Sequence, residues 1–275
     1  MSAIAWERAT VLSAAEFDVA RDLLDLGPNP AVLELLSPGP TDVERARVVR
    51  DAVGSMAARG LVADGVFEPA LVDDLRTVIT PEEVQDLVVA PPSWQRALVG
   101  HRRGRAVLAA RIDDEVALVR VAPGQAAAAL VELLGAVVPG PGRAVRIPVR
   151  VPAEAVERAA GDPDRLVAEL QRRGVPRADA ELLRRMTVVE GMAQLGAGRK
   201  APDPCRAPAV VLVHATAQGC YLQRRPTPER IGGPLPEDAM LLAGPADAAT
   251  LAAELDALAD AVRHRRAPVD ALRTW

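Results

Sequence analysis

Residues 104–138, GRAVLAARIDDEVALVRVAPGQAAAALVELLGAVV, constrain this chain more than any other stretch. They read as a strand, a turn, a second strand and a helix, and a degraded copy returns near the end. There residues 219–225 (GCYLQRR) answer GRAVLAAR, and residues 237–262 (EDAMLLAGPADAATLAAELDALADAV) answer EVALVRVAPGQAAAALVELLGAV. The connections differ: Asp113 and Asp114 make a short acidic turn in the first copy, whereas residues 226–236 form a long Pro/Gly loop in the second. Two copies of such a unit can align their strands into one continuous sheet, so the chain is expected to build one sheet from two related halves.

At 275 residues the chain can bury a substantial core. Hydrophobic residues make up 49% and aromatics only 2%, so that core is built from Leu, Val and Ala. A formal net charge of -4 argues against a polyanion binder. The basic runs at residues 101–105 (HRRGR) and at His264, Arg265 and Arg266 lack the flanking aromatics that a nucleic-acid face needs, and are read as a solvated loop and a helix end. Cys205 and Cys220 have no second pair to complete a zinc site and are read as reduced thiols. With no basic-then-apolar leader pattern and no stretch apolar for long enough to span a bilayer, the expectation is a soluble cytosolic protein without stable membrane association.

Taken in order, residues 6–12 are expected to form a short strand, after which Ser13 and Glu16 spell a capping box opening a helix with Phe17, Ala20, Leu23 and Leu24 on one face. A second apolar segment, residues 31–36, runs into the turn Ser37-Pro38-Gly39-Pro40. Thr41 and Glu44 form the clearest helix start, continued by Val43, Ala46, Val49, Val53 and Met56, with Gly60 as the stop. Pro69 suits a first helical position ahead of Leu71, Leu75 and Val78. Residues 84–89 read as a strand, although Glu83 could equally complete a capping box on Thr80, and residues 94–99, 106–112 and 116–121 continue as an antiparallel meander closed by a helix over residues 125–138.

Pro139-Gly140-Pro141-Gly142 is the strongest linker signal, and it divides the chain into halves 1–138 and 144–275. Residues 144–151 alternate as an edge strand, with Pro148 and Pro152 limiting its pairing. Helices follow at residues 153–160, 163–173 and 178–185, then strands at 187–195, 209–215, 220–223 and 240–243, and a last helix at 246–265. Each half is strand, helices, meander, helix. The fold class expected is α+β, a central antiparallel sheet flanked by helical bundles.

Known catalytic patterns are missing. Residues 191–200, GMAQLGAGRK, lack the Lys and the Ser or Thr that a phosphate loop requires after its second Gly, and are read as a structural turn. Gly140 and Gly142 lack a dinucleotide loop's third Gly. Ser55 follows Gly54 inside a helix, where no strained nucleophile turn can form. His101, His214 and His264 are scattered, and the run Asp113, Asp114, Glu115 reads as a solvated turn.

Laid out in this way, the chain resembles the EspG family of ESX (type VII) secretion-associated proteins from actinobacteria. The resemblance is carried by Leu12, Glu16 and Phe17, by Leu26-Gly27, by Pro30 with Leu33, and by Ser37-Pro38-Gly39 followed by Thr41, Glu44 and Arg45. It continues through Arg59-Gly60-Leu61, Pro69 with Leu71 and Leu75, the meander, the mid-chain linker and the late turn from Thr216 through Gly219 to Tyr221.

The resemblance implies a central antiparallel sheet with helical bundles in two quasi-twofold halves of a single domain over residues 1–275. It implies a non-enzymatic cytosolic chaperone, without metal or cofactor, that binds the apolar tip of a helical secreted protein and directs it to export. The expected partners are PE-PPE-like or WXG100-like helical proteins. By position it places Arg111, Asp113, Asp114 and Glu115 at a charged rim, and Val213, Thr216, Gly219 and Tyr221 on a sheet surface. Two other readings stand beside it: an adaptor that contacts secretion machinery or a regulator through the same sheet, and a small hydrolase or ligand-binding domain using His214 or the acidic turn.

Overall fold

The computed structural model describes residues 2–90, 94–122, 124–201, 203–228 and 233–264. In the first half, β1 (Thr10–Ser13) leads into α1 (Ala14–Leu23) and α2 (Asp42–Ala58). A small hairpin, β2 (Val62–Ala63) with β3 (Val66–Phe67), precedes α3 (Pro69–Ile79). The meander β4 (Glu83–Val89), β5 (Gln95–Arg102), β6 (Arg105–Ile112) and β7 (Glu115–Val121) ends in α4 (Ala126–Glu132).

The second half follows a similar succession, without a counterpart of the small hairpin. It runs β8 (Val145–Pro148), α5 (Arg150–Ala159), α6 (Pro163–Arg172), α7 (Arg177–Arg185) and β9 (Gly191–Arg199) with the short β10 (Cys205–Arg206). It closes with β11 (Ala209–Thr216), β12 (Gly219–Pro226), β13 (Met240–Pro245) and α8 (Ala248–His264). All strands but the small hairpin join one sheet in the order β1-β7-β6-β5-β4-β9-β11-β12-β13-β8, with β10 paired to β9. Every pairing in it is antiparallel. Read outward from the β4–β9 junction, the two sides present the same sequence of elements.

Local chemistry fixes the helix starts. Ser13 and Glu16 form the expected capping box on α1, and Thr41 and Glu44 form the one on α2. Asp162 caps α6 with Pro163 at its first position. In the turn before α2, Gly39 has a φ of +88°, and a Cβ there would lie 2.7 Å from the Arg45 backbone nitrogen. That close approach brings Arg45 onto Asp18, whose side chain has no solvent exposure and bonds to Arg45 at 2.7 Å, Ser37 at 2.6 Å, Asn29 at 2.9 Å and Arg21 at 3.0 Å.

Three apolar clusters hold the layers together, with each fully buried large side chain contributing about 1.5–3 kcal/mol. On one face of the sheet α4 and α8 pack over Leu87, Val99, Leu108, Leu195 and Val211. On the opposite face α1–α3 cover Leu98, Val107 and Leu118, and α5–α7 cover Tyr221, Leu241 and Ile147.

Several elements differ from the expected bounds. Residues 6–8 form a 3-10 turn, so β1 is shorter than residues 6–12, and residues 31–33 form another in place of an apolar strand. On α2 only Ala52 and Met56 are buried, leaving Val43 82% exposed. The helix expected over residues 125–138 stops at Glu132, because Gly135 takes a positive φ and the chain turns. Strand β8 ends at Pro148, which cannot donate to a ladder, and α5 starts directly after it. Residues 187–190 precede the strand expected at 187–195. The largest correction concerns residues 191–200: the glycine-rich run is not a turn but β9, at the centre of the sheet. Residues 101–105, expected as a solvated loop, are the end of β5, the start of β6 and a two-residue turn in which Arg103 and Gly104 both take positive φ. Arg265 and Arg266, and residues 229–232 of the long loop, lie outside the described residues.

Candidate functional site

The two three-helix groups cover the flanks of their face, residues 28–35 reach over β4 and β5, and the floor around Met192 and Gln194 between them stays accessible. Alternation along the strands defines this floor. On β4 the residues Gln85 and Leu87 turn toward α8 and α4, so Asp86 and Val88 turn the other way. The register then runs in rows across the sheet: Arg96, Val88, Gln194, Leu212 and Gln223 are successive cross-strand partners. In the adjacent row Met192 faces His214, which faces Tyr221.

This floor is accessible in the middle of a large sheet. Met192 is 37% exposed, Gln194 is exposed, and Val88 and Leu212 are half-buried. Trp94, which immediately precedes β5, is 60% exposed, with the Arg96 guanidinium 5.5 Å from its ring centroid and paired to Glu34 at 2.7 Å. An apolar strip interrupted by an amide, with a fixed cation–aromatic pair at its edge, suits contact with another protein surface. A cavity of about 550 Å³ lies elsewhere, between β1, α1 and α2, and one of about 650 Å³ lies over this floor, between residues 28–32 and Asp86, Gln194, Lys200 and Arg206.

The floor is kept in place by a bridge across it. Arg206 on β10 reaches Asp86 on β4 over the intervening β9, with guanidinium-to-carboxylate distances of 2.6 and 3.3 Å. A Cβ on Gly196 would sit 2.8 Å from Asp86 Oδ1 and 2.9 Å from Arg206 Nη2, so the glycines of β9 are what the crossing requires.

The residues expected at a charged rim cluster at one end of the sheet. Arg111 donates to the backbone carbonyls of Asp113, Leu33 and Glu34, fixing the β6–β7 turn to the 3-10 turn beside it. Asp113, Asp114 and Glu115 are exposed, and Glu115 lines the 550 Å³ cleft with Glu16, Ser55 and Arg59. Burial disfavours a charged Glu16, but hydrogen bonds from Ser55, the Ser13 backbone and Arg59 outweigh it and hold its carboxyl below the ordinary value. Arg59 also donates to the Val11 carbonyl at 2.6 Å, closing the free edge of β1.

The four residues expected on the sheet surface fare differently. Val213 belongs to the core under α8, and Tyr221 is fully buried among α5–α7, with its hydroxyl 3.3 Å from the Pro141 carbonyl. Neither is accessible, because sheet alternation turns Val213 to the α8 face and the mid-chain Pro/Gly stretch closes over Tyr221. A Cβ on Gly140 would meet that ring at 2.3 Å. Thr216 and Gly219 shape the β11–β12 turn: the Thr216 hydroxyl donates to the Gly219 carbonyl, and Gly219 sits at φ +119° against the Gly140 backbone. Of the four, Val213 and Tyr221 are thus buried, and Thr216 and Gly219 lie at a turn. Met192 and Leu212, which this face does present, were not among the expected residues, since apolar residues on a strand look like core.

His214 is buried, with its Nε2 3.2 Å from Gln223 Oε1. Burial pushes its pKa down, and the Gln223 bond opposes this only in part. Among the described residues no Ser, Thr or Cys side chain is hydrogen-bonded to its ring, so the nucleophile–base pair that the hydrolytic reading needs is not formed there. Among the described residues no group of three or more His, Cys, Asp or Glu is placed to hold a metal ion, and no helix is long and apolar enough to cross a membrane.

With this geometry in hand, comparison with known proteins is decisive for the family. The family model for the EspG family matches residues 13–257. The chain belongs to the EspG family. Among solved structures it is similar to the Mycobacterium tuberculosis type VII secretion system chaperone EspG5, determined in complex with the PE25–PPE41 dimer. The match has a TM-score of 0.75 at 15% sequence identity and covers 94% of this chain and 98% of that one. At that identity the likeness is one of fold, and it gives this family member the same α+β architecture. No curated protein matches the chain.

Proposed function

We propose that this EspG-family chain is a cytosolic, non-enzymatic chaperone of a type VII secretion system. In this reading it holds the apolar tip of a helical PPE or PPE-like protein and directs that protein to export. Family membership and the EspG5 fold support it, since the EspG5 structure is that of a secretion chaperone in complex with a PE–PPE dimer. The observation that carries it is the exposure of Met192 and Gln194 on the central strand, between two helical walls that leave the floor bare. A helical tip that would aggregate in water is buried there without any catalytic group being needed.

In the same proposal, residues 1–138 and 144–275 act as quasi-twofold halves whose junction forms the site. Asp113, Asp114 and Glu115 supply a charged rim that Arg111 holds in place, Thr216 and Gly219 shape the opposite turn, and Val213 and Tyr221 support the sheet from within. WXG100-like helical pairs are the second partner class to screen. Co-expression with the PE–PPE-like or WXG100-like pair encoded nearest this chain, followed by size-exclusion chromatography, tests the reading. Co-elution is expected, and separate elution from every such pair would overturn it.

A further inference from the structure

The open face is not uniform along its strands. Between Met192 and Gly198 on β9 it extends about 20 Å at the usual rise per residue, and its character changes over that length. Trp94 and Met192 make one end apolar. At the other end stand Arg206, Lys200 and Arg225. Lys200 and Arg206 line the same cavity as Asp86 and Gln194. Arg225 is exposed, is paired in register with Val210, and shares a face with Gln223 two residues before it.

The carboxylate within that end, Asp86, is buried and already held by both terminal nitrogens of Arg206. The nearby Glu82 carboxylate accepts from the Arg103 backbone N–H, and the Glu82 carbonyl takes the Lys200 N–H. Lys200 and Arg225 make no ion pair among the described residues. Lys200 and Arg225 thus stand on the floor beyond a carboxylate, Asp86, that Arg206 already neutralises.

We infer that the face docks its partner in a single orientation, with an acidic side chain of the helical tip over Lys200 and Arg225 and its apolar side over Met192 and Trp94. This rests on the chaperone reading and adds the partner's chemistry to it. Unpaired cations on a partly sheltered floor favour a complementary carboxylate and disfavour a basic tip, so they select among otherwise similar apolar tips. The contribution is screened by salt, because both cations remain in contact with water.

The test measures the affinity of the full chain for the nearest-encoded PE–PPE-like pair by titration calorimetry, at about 50 and about 500 mM salt. The variants are the double substitution K200E/R225E and R50E, which alters charge on the exposed face of α2, away from the trough. The expected result is a loss of about tenfold or more for K200E/R225E relative to R50E, with a weaker salt dependence than the wild-type chain. Equal behaviour of the two variants would overturn the inference while leaving the chaperone reading intact. A wild-type chain that fails to bind the pair would overturn that reading, and this inference with it.

Discussion

Arg206 and Asp86 lie 120 positions apart and meet at 2.6 Å across a strand that belongs to neither. Their contact ties β10 to β4 over β9, at the junction of the two halves, and forms part of the candidate binding floor. The crossing predicts a contrast between two glycines. In G196A the new methyl collides with both partners of the pair, and stability should fall by about 1–3 kcal/mol. In G54A, within α2 and with nothing near the added Cβ, stability should rise by about 0.5–1 kcal/mol. Urea denaturation of both variants checks this, and a neutral G196A would contradict the crossing.

The Asp18 cluster predicts a second large effect. Burial alone would raise the Asp18 pKa, but Ser37, Arg45, Arg21 and Asn29 outweigh it and hold it below the ordinary carboxylate value. D18A leaves Ser37 and Asn29 without their shared acceptor and takes one partner from the half-buried Arg21 and Arg45, which keep the Gly27 carbonyl and Asp22, at a cost of about 1–3 kcal/mol. A denaturation midpoint close to that of the wild-type chain would show that the cluster is incidental.

Stability should depend on pH in two stages. His101 and His214 have pKa values lowered chiefly by burial. The unfolded chain therefore takes up protons first, and stability is full above about pH 6.5 and declines as pH falls below it. Asp18 and Glu16, also depressed in the folded state, extend the decline below about pH 4. In the double variant H101Q/H214Q the first stage should flatten while the second remains. Thermal melts between about pH 8 and 5 would reveal an unchanged first stage if the histidines were not its source.

Arg59 predicts a change in association. It occupies the Val11 carbonyl on the edge strand β1 and bonds Glu16 at 2.6 Å. R59A should open that edge and promote self-association at high concentration, which light scattering detects. An unaltered monomer-to-aggregate balance would assign the protection to other residues.

Much of this architecture was legible in the sequence. The capping boxes at Ser13 and Thr41 act through neighbours three residues apart, and the strand alternation of the meander is equally local. The late copy of residues 104–138 falls on β12 and β13, which lie as far from the β4–β9 junction on one side as β6 and β7 do on the other. What failed depended on distant partners. Gly196 and Gly198 looked like a turn because glycine weakens strands, and only Arg206 crossing to Asp86 explains them there. Tyr221 was placed on a surface because its burial comes from Pro141, 80 positions earlier. Met192 and Leu212 went unnoticed because sequence does not show that two helical groups stop short of the same strand.

The central claim is that the bare floor around Met192 holds an apolar helical tip. The most direct measurement compares co-elution of the nearest-encoded PE–PPE-like pair with the wild-type chain, with M192D/L212D, and with V43D, which changes a residue 82% exposed on α2. Circular dichroism confirms that each variant is folded. The wild-type chain and V43D are expected to carry the pair through the column, and M192D/L212D is not. A folded M192D/L212D variant that still co-elutes with the pair would contradict it.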